Sequence, residues 1–563
     1  MLDLRRFASS RSRALLGFTL VLSACSGGDQ APEQASDTIV WFEEVAAESG
    51  LDFAHVRAPE TRYWFPEIAA SGLAFLDYDG DGDADLYCIQ SGDMAADPAQ
   101  NLTNRLFEND GLGNFSDVTD AAGVGDTGYG MGCSTGDFNG DGHVDLYITN
   151  VGANVLYENN GDGTFSDVTA AAGVGHEGWG TSCAFVDYDR DGDHDLFITN
   201  YIRWSVENEV GCFSAYGDSD YCHPNNYNAP AADVLYRNDG DGTFTDVTVS
   251  SGVANDFGNG LGVTCGDFNL DGYIDIYVAN DLVANQLWMN QGDGTFTNQA
   301  LLAGCAVNQQ GAAEAGMGVA AVDVDQDGDL DLFMTHLRDE SNTLYINKNG
   351  FFTDRTARSG LGSASIKFTG FGMGFADFDN DGILDVYVAN GRVGIRKPAF
   401  DEADGYAEPN QIFKGLGGGF YEETLPHGGT AEPLIENSRG MAFADVDGDG
   451  DVDVALSDND SVVRLLRNIN ESDAHWVQLR VRDEHGWDAI GAQVRLICSG
   501  QTHWRTVESA FSYCSASDPL VHIGLGAGDS ITEVEVIWPD GQHETFPAVA
   551  VDGSHELKRG QGN

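Results

Sequence analysis

Asp77, Asp79, Asp81 and Asp85 put carboxylates at positions 1, 3, 5 and 9 of a nine-residue stretch with Gly82 at position 6. This pattern, D-x-[DN]-x-D-G-x-x-D, occurs seven times along the chain. The second to fourth sets are Asp137, Asn139, Asp141 and Asp145, then Asp187, Asp189, Asp191 and Asp195, then Asp267, Asn269, Asp271 and Asp275. The last three are Asp323, Asp325, Asp327 and Asp331, then Asp377, Asp379, Asp381 and Asp385, then Asp445, Asp447, Asp449 and Asp453. Two carboxylates about 4 Å apart repel by roughly 4 kcal/mol at an effective dielectric of about 20, so such a loop calls for a cation. Flexible all-oxygen donors, with a backbone carbonyl near position 7, suit Ca2+ better than Mg2+, which demands a strict octahedron and keeps its waters. The chemistry expected is Ca2+ binding, with about seven ions if every loop fills.

An EF-hand begins with a similar pattern but needs a Glu at position 12 and a helix on each side. Position 12 here is Cys88, Ile148, Ile198, Val278, Met334, Val388 and Leu456. The residues leading to it alternate in polarity, as in Leu146-Tyr147-Ile148-Thr149, so a strand leaves each loop. A second phrase recurs between loops, as at 155–169, VLYENNGDGTFSDVT, where two alternating strands flank an Asn/Gly/Asp turn and predict a hairpin. Each period thus holds four strands, and a period of this length points to propeller blades rather than a solenoid. The last copy lacks its F-x-D-V-T strand, and 39–51 supplies an orphan one, so the N-terminal strand is expected to close the ring.

The fold expected is all-β: a seven-bladed β-propeller over 38–469 and a small all-β domain over 470–547, followed by a polar tail at 548–563. The longest gap between loops contains 201–232, an insertion carrying Tyr201, Trp204, Phe213, Tyr216, Tyr221, Tyr227 and the Cys212/Cys222 pair. Long structured loops on one face of a rigid scaffold are where binding concentrates, and the alternative reading of this insertion is a cap on the channel.

Asp and Glu number 90 against 28 Lys and Arg, a formal net charge of −62, which excludes nucleic acid and anionic membrane surfaces as partners. The start of the chain reads as a signal peptide, with Arg5, Arg6, Arg11 and Arg13 before the apolar run 14–22. Leu22-Ser23-Ala24-Cys25 resembles a bacterial lipobox, which implies removal of 1–24, lipid on Cys25 and a polar tether over 25–37. The membrane contact expected is through that lipid alone, at the bacterial cell envelope, on the outer membrane or cell surface. Of ten cysteines, Cys212 with Cys222 and Cys498 with Cys514 are the two disulfide candidates. Cys133, Cys183 and Cys265 precede successive loops and are expected to be small buried residues.

The loops and L-Y-x-N-x-G-D-G-T-F-x-D-V-T phrases resemble FG-GAP/VCBS repeats, those of integrin α-type propellers. Asp488-Ala-Ile-Gly-Ala-Gln-Val494, 513–518, Val521-His-Ile-Gly-Leu-Gly526 and Val534-Glu-Val-Ile-Trp-Pro-Asp-Gly541 are similar to the ASPIC/UnbV domain. Together they resemble the cartilage acidic protein family, which implies a secreted or surface Ca2+-binding protein and no settled activity. No G-x-S-x-G, H-E-x-x-H or G-x-x-x-x-G-K-[ST] motif is present. His336, His427 and His522 are isolated, and Glu67 and Trp64 read as core or rim residues. No catalytic residue is named. The function expected is binding of a protein or glycan by a surface-anchored Ca2+-loaded propeller. The alternative is an enzyme or pathway accessory (hydrolase, lyase or natural-product biosynthesis) with its site at the channel mouth.

Overall fold

A computed structural model describes residues 40–58, 61–96, 101–470 and 472–563. The expected signal peptide, Cys25 and the expected tether lie outside the described residues. Among the described residues, no helix is long and apolar enough to cross a membrane.

Seven four-stranded antiparallel blades follow one another at 73–117, 130–167, 177–246, 260–298, 319–354, 370–423 and 438–468. The seventh is completed by Phe42–Glu44, which pairs antiparallel with Arg464–Asn468 in the register Phe42 to Asn468. Closure therefore joins the two ends of the repeat region, as the orphan strand predicts. Blades 2 and 3 also share an edge, where Glu177–Val186 pairs with Asp145–Ala153. Alternating apolar residues from successive blades meet in shared cores; one of them brings Trp41, Phe42, Phe378, Tyr387 and Met441 together.

The C-terminal domain stacks a three-stranded sheet on a four-stranded one around Val477, Leu479, Val494, Leu496, Val534 and Val536. Residues 548–563 are not a tail. Ser554–Lys558 pairs in parallel with His475–Arg482, and the buried Leu557 joins the core, which holds this stretch in the domain.

Between Gln501–Thr506 and Val521–Gly526, the segment 509–518 leaves this domain and enters the propeller channel. There Ser512 exchanges backbone hydrogen bonds with Val319 of blade 5, at 2.8 and 3.1 Å. The Cys514 carbonyl accepts from Cys133 N of blade 2 at 3.2 Å, and Ala516 N donates to Leu73 O of blade 1 at 3.0 Å. Cys514 N, Ser512 Oγ and Ser517 Oγ bond Ser182 Oγ, Met373 N and Phe443 N of blades 3, 6 and 7. The Tyr513 hydroxyl donates to the Ala69 carbonyl at 2.6 Å. The channel is thus filled by a polar plug that satisfies its inner strands.

The plug overturns the Cys498–Cys514 pairing. Cys498 ends a strand in the C-terminal core, whereas Cys514 is carried into the propeller axis, and both are free and buried. Cys212 and Cys222 do form a disulfide. Cys133 and Cys183 are free and buried, and Cys265 is free and partly buried.

Candidate metal loops and the channel-mouth cavity

All seven loops share one hydrogen-bond plan. The first Asp turns the loop: Asp77 accepts from Gly80 N at 2.8 Å and Gly82 N at 3.2 Å. The fifth-position Asp caps the amide two residues on, as Asp81 does for Asp83 N at 3.0 Å. The ninth is buried and accepts two amides, Asp85 from Tyr78 N at 3.0 Å and Asn109 N at 2.8 Å, which ties the loop to the third strand of its blade.

Carboxylate oxygens of positions 1, 3 and 9 lie within 4.8 Å of one another in five loops, those opening at Asp77, Asp187, Asp323, Asp377 and Asp445, and each group could hold a metal ion. The fifth-position residues Asp81, Asp191, Asp327, Asp381 and Asp449 fall outside these triplets. In the other two loops position 3 is Asn139 or Asn269, whose amide donates to Asp141 at 3.1 Å or Asp271 at 2.9 Å.

The donor set fits a hard cation. Oδ1 of Asp189, Asp325, Asp379 and Asp447, at position 3 of loops 3, 5, 6 and 7, is buried with no hydrogen-bond partner. A buried charged acceptor without a partner is costly, and a metal ion is a partner that all four oxygens could share. Burial, with the crowded neighbouring carboxylates, pushes Asp85 up to about 8 and Asp187 to about 7. Loop 6 carries its own cation: Lys414 Nζ bonds Asp379 and stands 3.1 Å from Asp381.

A latch joins six of the seven loops to the blade before them. The Asn that bonds the ninth Asp gives its side-chain amide to a carbonyl in the preceding blade's loop, as Asn159 does to Tyr78 O at 2.7 Å and Asn290 to Tyr188 O at 2.8 Å. Asn109, Asn238, Asn347 and Asn468 do the same. In blade 6 the position is Gly415, which bonds Asp385 through its backbone N–H at 2.7 Å but has no side-chain amide to give.

The opposite face bears the insertion. The Glu209 carboxylate gathers Phe65 N at 3.1 Å, Trp204 Nε1 at 2.7 Å and the Tyr227 hydroxyl at 2.6 Å. Asp220 accepts from Ile395 N at 2.9 Å and the Tyr406 hydroxyl at 2.8 Å, which bridges the blade 3 insertion to a loop of blade 6. Beneath this bridge is a cavity of about 140 Å³ lined by Phe65, Tyr201, Tyr221, Asp281, Phe371 and Tyr513, among others. The plug tip is therefore part of its wall. Asp281 is 7% exposed; the Tyr201 hydroxyl donates to Oδ2, and Oδ1 has no partner. Nothing in the sequence sets Asp281 apart from other polar residues at strand ends. Glu67 is buried and accepts from Arg62 N, Tyr63 N and the Tyr221 hydroxyl, a bracing role. His336 is buried and His427 and His522 are partly exposed, and none of the three lines this cavity.

The FG-GAP-like repeat family matches residues 77–148, 137–198, 217–278, 267–334 and 323–388, together more than half of the chain. ASPIC and UnbV matches 483–563. Cartilage acidic protein 1 of Homo sapiens is 28% identical over 315 residues, 53% of this chain and 43% of that protein. That of Mus musculus is 29% identical over 315 residues, 53% and 44%. The chain spans less than half the length of the curated relatives it matches. Among solved structures, an Agrocybe aegerita lectin, described by its recognition of non-reducing terminal N-acetylglucosamine, aligns at 15% identity and TM-score 0.39, over 71% of this chain and 94% of its own. YCF48 from Cyanidioschyzon merolae aligns at 10% identity and TM-score 0.40, over 76% and 98%. On its repeats and its C-terminal domain, the chain belongs to the FG-GAP-like repeat proteins that carry an ASPIC and UnbV domain.

Proposed function

We propose that this chain is a Ca2+-dependent binding protein of the bacterial cell envelope, anchored by lipid on Cys25, that holds a protein or glycan ligand on its insertion face. Ca2+ serves as fastener: about seven ions offset part of the loops' negative charge and stiffen each blade. The orphaned position-3 oxygens support this reading. The observation that carries ligand binding is the braced insertion over an aromatic cavity, with Phe213 of the same insertion 70% exposed. Such a rim offers aromatic anchors on a rigid base.

A glycan and protein array probed with the Ca2+-loaded chain tests the binding reading. Capture should be lost in chelator and in Phe213→Ala or Tyr216→Ala; a ligand indifferent to all three would refute the site. Metal analysis should return Ca2+ near the loop number, and Asp267→Ala should lower it. Cys25→Ala should leave the folded propeller soluble; continued membrane fractionation would refute the anchor.

A further inference from the structure

We propose that the cavity beneath the insertion binds a small organic cation, an ammonium head group held by the Asp281 carboxylate and the rings of Tyr201, Tyr221 and Tyr513. This rests on the reading that the insertion face is the ligand face, and it names the chemistry which that face recognises.

Volume sets the first limit. At about 140 Å³ the space is close to the roughly 150 Å³ of an engineered cavity that admits benzene, so a head group of four or five heavy atoms fits. His223, exposed on its rim, marks where the cavity meets solvent.

Charge sets the second. The wall is mostly apolar and aromatic, yet it holds the carboxyl of Asp281, whose Oδ1 has no partner. Tyr201 serves the other oxygen, and the charged group felt by Asp281 is Glu340, of like sign. Burial pushes Asp281 up to about 7. An ionised carboxylate here needs a positive partner, and a neutral one would leave an acceptor unmet. The tyrosine rings favour the same sign, because a cation is drawn to an aromatic face. The nearby arginines are already engaged. Arg439, 3.9 Å over the Phe371 ring, donates to the carbonyls of Ile68, Ser438 and Arg392. Arg57, 5.9 Å from the Tyr221 ring centre, pairs with Asp460 at 3.5 Å.

Calorimetry on the full Ca2+-loaded chain with choline as probe tests the site. Choline should bind one to one, and 3,3-dimethylbutanol, its neutral isostere, about ten-fold or more weaker, as should choline to Asp281→Asn, since loss of a charged partner exceeds about 1.4 kcal/mol. Tyr201→Phe keeps the carboxylate and should retain choline binding, and melting curves confirm that both variants fold. Equal binding of the neutral isostere, preference for acetate, or an unchanged Asp281→Asn would overturn the proposal. An array ligand lost in Tyr216→Ala but indifferent to saturating choline and to Asp281→Asn would overturn it while the ligand-face reading stood. No insertion-dependent ligand and no choline binding would sink both.

Discussion

Gln478 reaches from the C-terminal sheet to donate Nε2 to Asp445 Oδ2 at 2.8 Å, so a side chain of the second domain rests on the first position of a candidate metal loop. Trp504 does likewise with loop 5: its amide donates to Gln326 Oε1 at 2.9 Å and its ring faces Gly328. Trp487 lies against Gly140 of loop 2, and Trp476 against Gly450 of loop 7. Removal of Ca2+ should therefore loosen the domain seat before it opens the ring. In chelator, hydrogen exchange should rise first in Val521–Gly526 and the loop amides, with a change in tryptophan emission. Uniform exchange across the propeller, or none, would contradict this order.

The asparagine latches predict where the ring is weakest. Asn290→Ala deprives buried carbonyls in two blades of a partner and should cost about 1–3 kcal/mol. Asn347→Ala should cost a similar amount for the same reason. The seam between blades 5 and 6 lacks this link because Gly415 replaces the Asn. Native-state exchange should show that seam opening at the lowest free energy; a seam as protected as its neighbours would refute the latch.

Glu508 gives the pH dependence a definite sign. It lines the cavity of about 130 Å³ between the domains, with Oε2 unpartnered, and burial pushes it from its ordinary 4.5 up to about 8. The fold binds its proton more tightly than the unfolded chain does. That stabilisation is fully present below about pH 4.5 and is lost as pH rises through about 8. Glu508→Gln should leave the melting temperature near that of the parent at pH 5 and raise it at pH 8. Equal shifts at both values would show that the effect is not titration.

The ring was legible because its devices are local. The ninth Asp recurs at a fixed place in every repeat and the strand-end Asn in every repeat but the sixth, so loops, hairpins, blade number and closure all follow from spacing. The insertion disulfide was legible for the same reason, with Cys212 and Cys222 close in sequence. Distant partners left no such trace. Cys514 meets Gly72 and Cys133, and 554–558 pairs with a strand some eighty residues earlier. Asp281 acquires its meaning from Tyr201 and the cavity wall. A hint of the plug was present in Ala510-Phe511-Ser512-Tyr513-Cys514-Ser515-Ala516-Ser517, a run of small and hydroxyl residues with two aromatics and no charge, unlike a solvated loop.

The plug also predicts the effect of one methyl group. A Cβ at Gly72 would overlap the Cys514 carbonyl oxygen, and one at Gly132 would come within 2.8 Å of the Cys514 Cβ. These contacts are with backbone or a fixed side chain, so Gly72→Ala must displace the plug or the first blade. Overpacking of this kind costs about 1–3 kcal/mol. Loss of the plug's hydrogen bonds to the inner strands would add to it, and Ser512→Ala, which removes the acceptor for Met373 N at 3.0 Å, isolates one such bond at about 1 kcal/mol. Gly211→Ala, at a position with open space around it, is the matched control and should be near neutral. Chemical denaturation of the three variants decides the matter: Gly72→Ala should fall furthest, and its exchange protection should drop across inner strands that the plug bonds. If Gly72→Ala unfolds at the same denaturant concentration as Gly211→Ala, the segment 509–518 does not fill the channel.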